Sequence, residues 1–284
     1  MSAKSDSAEN GTNKKFLIDL SRAFAGAIIF SFAMIMTMEM WSLGFTVPSY
    51  RLIVFIAVSV PLLVGLSYFV GFKSTDNLID DIIDAFVGYA VGFITSMILL
   101  YIFGIITRDM SLYEIIGKVS LQTVTAAIGA MYAQSQLGNL DKDADEGEEK
   151  KEAESNYLGE LFLMMIGAVF LAMNPAPTEE IYLIAYKMSD WQIVLLAILS
   201  LVVMHAFVYT VGFRGEEDSG EDTGFWSVFL RFTVVGYAIS LCVSFYLLWV
   251  FGSIDGMSVK QMLDVTVVLG FPASLGAAAS RVIL

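Results

Sequence analysis

The sequence predicts an all-α membrane protein of about eight transmembrane helices, arranged as two parallel four-helix repeats. Three observations carry this. The 284 residues are 57% hydrophobic with a mean hydropathy of +0.71, whereas a soluble domain is about 45–50% apolar. Apolar runs of about 20 residues or more recur, each long enough to cross a hydrocarbon layer of ~30 Å at ~1.5 Å per residue. Short motifs also return in the same order at nearly constant spacing.

The chain opens with a polar stretch, residues 1–15, read as a disordered tail. No short apolar core with a small-residue cleavage site follows directly, so the first apolar run is expected to stay as a span. The predicted spans are 17–44, 51–72, 83–106, 112–136, 158–187 (broken), 191–213, 225–251 and 259–284. They group into a first repeat (16–137), an acidic linker (138–157) and a second repeat (158–284). Eleven of the sixteen Lys and Arg fall on the N-terminal side of this arrangement. By the positive-inside rule both termini and both acidic loops face the cytoplasm of a cell (inner or plasma) membrane.

The repeat is visible as identities. At an offset of 141, Gly26, Ala27, Thr37 and Glu39 meet Gly167, Ala168, Thr178 and Glu180, and "YFVGF" (68–72) meets "YTVGF" (209–213). At 148, "VGYA" (87–90) recurs at 235–238 and "FG" (103–104) at 251–252; at 147, "AAIGA" (126–130) meets "ASLGA" (273–277). Four spans per unit return the chain to its starting side, so the two units share one orientation.

The stretch "AMNPAPTEEIYLIAYK" (172–187) places Asn174, Pro175, Pro177, Thr178, Glu179 and Glu180 inside an apolar segment. Asn174 suits a helix N-cap and Pro175 the first helical position, where its missing N–H costs nothing. Span five is therefore expected to break near Met173 and restart at Asn174. Span one, read as one continuous stretch over 17–44, lacks these prolines, so the two halves are not expected to be functionally identical. An ionised side chain inside a membrane costs at least ~2.5 kcal/mol, so it faces an interior, pairs, or marks an ion path. The repeat makes Glu39 equivalent to Glu180 and Thr37 to Thr178. Two carboxylates sharing a low-dielectric site do not both ionise easily: one is expected to hold a proton near neutrality, or a cation neutralises both. Glu39, Glu180, Thr37 and Thr178 are thus the expected ion- or proton-binding residues, with Glu179 beside them. An interfacial, solvated position for the acids is the competing reading.

Other polar residues carry weaker signals. The methionines of "MIMTMEM" (34–40) lie two apart and cannot share a helix face, so they read as apolar filler. His205, the only histidine, reads as a hydrogen-bonded structural residue or a proton relay. Asp84 and Arg231 read as interfacial anchors or a pair. Gln122, Thr123 and Thr125 either line a path or bond between helices, and the small residues of 125–130 and 273–280 suit close packing. Cys242 is the only cysteine and forms no intrachain disulfide. The acidic runs 141–154 and 215–222 hold much of the net charge of −13, which argues against nucleic acid as a partner. No phosphate loop, nucleophile–base arrangement, metal-ligand cluster or dinucleotide fingerprint appears, so neither enzymatic activity nor a cofactor is expected, and the identity of any metal stays open.

The stretches "MTMEMW" (36–41), "APTEEIYLIAYKM" (176–188), "RFTVVGY" (231–237) and "LGFPASLGAAASR" (269–281) resemble those of a family of bacterial integral-membrane proteins with no assigned activity. Arg22, Phe24 and Glu39 also share a spacing with prokaryotic relatives of the lysosomal potassium channel, but Ala25 and Gly26 replace that family's Ser-Asp pair. The expected function is a cation or proton-coupled transporter in the lipid bilayer, with a site between the repeats. A passive cation channel and a non-transporting scaffold or sensor are the alternatives, and a homo-oligomer is compatible with each.

Overall fold

The computed structural model describes residues 2–70, 78–138, 157–211, 226 and 229–283, and among these there is no strand. The helices, in chain order, are α1 (Ser2–Ile35), α2 (Met38–Thr46), α3 (Ser49–Val70), α4 (Leu78–Ile102), α5 (Leu112–Gly138), α6 (Tyr157–Met173), α7 (Glu179–Lys187), α8 (Asp190–Val211), a π-helical turn (Phe229–Val234) running into α9 (Val235–Val250), and α10 (Val259–Ile283). The polar residues expected to form a tail lie within α1, whose apolar part is Leu17–Ile35. The acidic runs 141–154 and 215–222 lie outside the described residues.

Six described stretches are long and apolar enough to cross a membrane: Leu17–Ile35, α3, α4, the first eighteen residues of α8, the π-turn with α9, and α10. Eight spans were expected. Of the other two, α6 has only 17 residues. The 27 residues of α5 include Glu114, Lys118, Gln122 and four threonines or serines that lower its hydropathy.

The chain divides into two compact units, Met1–Met36 with Val58–Asp145, and Thr37–Ala57 with Glu146–Leu284. In the first, α1 packs along α5, and α4 packs on both. Ala23, Ala27, Val91, Ala126 and Ala130 form its core. Small residues let these backbones approach: a Cβ on Gly26 would strike the carbonyl of Gly129, and one on Gly92 the backbone of Thr123 and Ala127. Gln122 and the threonines take the structural role. Gln122 Nε2 donates to the Ser31 carbonyl at 2.7 Å, joining α5 to α1, while the Thr123 and Thr125 hydroxyls donate within α5. Asp81 is buried and accepts from Ser67 Oγ at 3.1 Å. Lys118, also buried, pairs with Glu114 at 2.8 Å and donates to the Ile105 carbonyl, fixing the turn after α4.

In the second unit α10 packs against α6, α7, α8 and α9. Gly167 of α6 and Gly276 of α10 meet backbone to backbone, and Gly236 of α9 receives the methyl ends of Met164 and Met204. Segment 37–57 joins this unit through ring contacts, Tyr50 with Trp249 and Phe55 with Phe251.

Two expectations about the breaks are corrected. Span one is not continuous: α1 ends at Ile35, and Thr37 adopts an extended conformation (φ −101°, ψ 128°) that starts α2. A single extended residue breaks the helix without proline or glycine, so composition gave no warning. The second correction concerns Asn174, which is not the N-cap. Residues 174–177 form a turn, and Thr178 (φ −84°, ψ 147°) occupies the capping position of α7. Pro175 and Pro177 both fall within this turn rather than at the first helical position. The Ala176 N–H still bonds back to the Ala172 carbonyl, so the chain makes one further turn before it lets go of α6.

Candidate functional site

The glutamates expected to act lie in the first turns of two nine-residue helices. Glu39 is the second residue of α2, and Glu179 and Glu180 open α7. Carboxylates are favoured there because the unpaired N–H groups and helix dipole present positive charge. Glu39 is half-buried, whereas Glu179 and Glu180 are exposed. Both helices belong to the second unit.

Thr37 and Thr178 are the half-buried capping residues of these helices, though neither makes a side-chain cap bond. The Thr178 hydroxyl turns back instead and donates to the Pro175 carbonyl at 2.9 Å, holding the turn closed. The two helices also end alike. The Val47 N–H bonds to the Leu43 carbonyl at 3.0 Å, and the Met188 N–H to the Ile184 carbonyl at 3.1 Å.

The turn before α7 carries an unspent acceptor. Asn174 Oδ1 is buried and, among the described residues, takes part in no hydrogen bond. A buried amide oxygen without a donor costs about 1–3 kcal/mol, and four residues on stand Thr178 and the two glutamates. Oxygen acceptors of this kind suit hard cations. Among the described residues, no three His, Cys, Asp or Glu side chains converge as a metal site would require.

The remaining candidates take structural places. His205 Nδ1 lies 2.9 Å from Thr233 Oγ1, and its ring meets Phe229 edge to face, so the histidine ties α8 to the π-turn. Arg231 lies over the ring of Tyr157, whose hydroxyl donates to the Arg231 carbonyl. Asp84 is half-buried on α4. Met34 and Met40 are buried while Met36 and Met38 are exposed, as filler on separate faces would be. Cys242 is exposed on α9.

Sequence reasoning missed Arg51. It is buried and paired with Asp255 at 2.8 Å. The available signal was its place in the first turn of a very apolar helix, where a cation needs a partner.

Long apolar helices and close glycine crossings define an integral membrane protein with several apolar helices. The family described as "Putative integral membrane protein (DUF2391)" matches residues 19–284, and the chain belongs to it. No curated protein and no solved structure matches the chain.

Proposed function

We propose that the chain is a cation or proton-coupled transporter built from two copies of one helical unit. The unspent, buried Asn174 Oδ1 at the break before Thr178, Glu179 and Glu180 carries this reading. Interrupted helices at membrane depth are tolerated where they line a cavity, and their loosened backbone and polar side chains commonly hold ions. Glu39 would act with Glu180, since both follow an extended threonine and occupy the second position of a nine-residue helix.

The duplication is supported by features that share the sequence offsets. Thr37 and Thr178 begin the short helices 141 residues apart, and the glycine crossings Gly26–Gly129 and Gly167–Gly276 repeat at 141 and 147. Gly104 and Gly252 both have positive φ, at 148. Ser111 and Ser258, at 147, both bond the residue three positions on. With an even number of spans per unit, the two copies share an orientation and both termini face the cytoplasm.

The test is ion flux in proteoliposomes, screening protons, sodium, potassium and calcium. Wild type is expected to carry one of these. Glu39→Gln/Glu180→Gln is expected to lose about tenfold or more, which a loss of ~1.4 kcal/mol in site binding already gives. Absence of flux from folded wild-type protein overturns transport. Flux without counter-ion dependence, at rates beyond a carrier, replaces the carrier with a channel using the same carboxylates.

A further inference from the structure

The turns that follow α4 and α9 are built alike. In each the chain leaves its helix through a glycine of positive φ, Gly104 at +69° and Gly252 at +77°. The Gly104 N–H bonds to the Tyr101 carbonyl at 3.0 Å, and the Gly252 N–H to the Trp249 carbonyl at 3.1 Å. The next N–H in each, on Ile105 and Ser253, reaches back to Leu100 and Leu248 at 2.9 Å. The turns differ in what covers them. The start of α3 lies on the second: Tyr50 meets Trp249, Phe55 meets Phe251, and Arg51 Nη2 donates to Asp255 Oδ1 at 2.8 Å. A Cβ on Gly252 would sit 3.3 Å from Arg51 Nη1, whereas one on Gly104 would meet nothing within 4 Å. Phe251 is 5% exposed, and its counterpart Phe103 is 44% exposed.

The segment that does the covering also has a counterpart. α3 and α8 are both 22 residues long and begin 141 residues apart. This offset carries Tyr50, Arg51 and Phe55 onto Trp191, Gln192 and Leu196. Across the covered contact, Trp249, Phe251 and Asp255 correspond to Tyr101, Phe103 and Thr107 at 148. The pairs keep their chemistry. Tyr50 with Trp249 becomes Trp191 with Tyr101, and Phe55 with Phe251 becomes Leu196 with Phe103. The ion pair Arg51–Asp255 becomes Gln192 and Thr107, an amide and a hydroxyl that can hydrogen-bond. A charge on one side alone would lack its partner, and here both sides are neutral together. Yet Arg51 is buried while Gln192 is exposed, and Trp191 and Tyr101 are 67% and 60% exposed. Each unit therefore carries one half of a contact that is bare in the single chain.

We propose that the start of α8 docks on the turn after α4 of a second copy of the chain. Two copies related by a twofold axis along the membrane normal satisfy both surfaces at once, α8 of each on α4 of the other. With four spans per unit, α4 ends and α8 begins on the same side of the membrane, as the contact requires. Apolar surface alone does not draw helices together in lipid, which is as apolar as they are; close packing and hydrogen bonds between helices do. Ring on ring gives the packing. The bond runs from the Gln192 amide nitrogen to Thr107 Oγ1, since Gln192 Oε1 already accepts from the Ser189 N–H and hydroxyl. Docking of this kind rests on the duplication proposed above and is independent of transport.

Cross-linking of the full chain in membranes tests this. Chains with Trp191→Cys and chains with Tyr101→Cys, each in a Cys242→Ser background and with its own tag, are co-expressed and treated with a short bifunctional thiosulfonate. Both positions are exposed, so neither substitution disturbs packing within the chain. A linked pair holding both tags is expected, and neither chain expressed alone is expected to give one. After about tenfold dilution into added lipid the yield is expected to fall less than the dilution; a proportional fall marks random collision and overturns the docking. Absence of the mixed pair also overturns it and leaves lipid as what covers the two surfaces. So does a link that forms only when both cysteines lie in one chain, because the chain then closes on itself. The same reagent is expected to join Tyr50→Cys to Trp249→Cys within one chain; failure there removes the covered contact on which the docking is patterned, and the docking with it. Labelling of Thr107→Cys and Ser189→Cys from opposite faces of the membrane is the separate sign that the duplication has failed and has taken the docking with it.

Discussion

Gly276 and Gly256 lie in one unit, and replacing each tests a different force. A Cβ at Gly276 would collide with the Gly167 backbone at the crossing of α6 and α10. Gly276→Ala must push two helices apart, an overpacking cost of about 1–3 kcal/mol. Gly256 has open space around it but a positive φ, so Gly256→Ala costs only the backbone preference, about 1–2 kcal/mol. In thermal unfolding in detergent, both variants are expected to be less stable than wild type. At Gly276, replacement by the larger leucine is expected to deepen the loss. At Gly256, asparagine, which tolerates this backbone region, is expected to restore most of it. The small residues of 273–280 announced close packing at Gly276, but not that its partner is Gly167 of α6. The Arg51–Asp255 pair was not legible, because its members are 204 residues apart and each looks ordinary alone.

At the scale of elements, the two interruptions differ in how plainly the sequence announces them. Two prolines within three residues marked the break before α7, although Thr178 rather than Asn174 proved to be the capping position. The break before α2 has neither proline nor glycine. Its only trace was the match of Thr37 to Thr178, which the unbroken reading of span one did not use. Prolines remove backbone donors and oppose helix continuation, so Pro175→Ala/Pro177→Ala is expected to let α6 extend toward α7. Flux is then expected to fall although every glutamate is retained, while folded yield stays near wild type. Glu179→Gln is expected to reduce flux less than Glu180→Gln, because Glu179 has Met38 as its counterpart in α2, whereas Glu180 has Glu39. Equal losses in the two variants would remove the argument from equivalence and leave position in the first turn as all that matters.

The whole molecule is where the repeat makes its strongest demand. If each unit has four spans, the segment joining the units, the segment after α8 and both termini share one side, and the turns after α4 and α9 share the other. An odd number of spans in either unit breaks that pattern. Hydropathy does not decide the count, since α5 is too polar and α6 too short to rank with the six long apolar stretches. α5 is nevertheless buried along most of its described length against its neighbours, so its polar groups are satisfied within protein rather than lipid. That is why a helix can sit at membrane depth without an apolar sequence. Single cysteines introduced into a Cys242→Ser chain test the arrangement directly. In intact cells opened only at the outer face, a membrane-impermeant maleimide is expected to label Thr107→Cys, Ser189→Cys and Met257→Cys but not Asp145→Cys or Ser219→Cys. Labelling of Asp145→Cys together with Thr107→Cys would mean that α5 does not cross the membrane. The units would then face opposite ways, and Glu39 and Glu180 could no longer be related by an axis along the membrane normal.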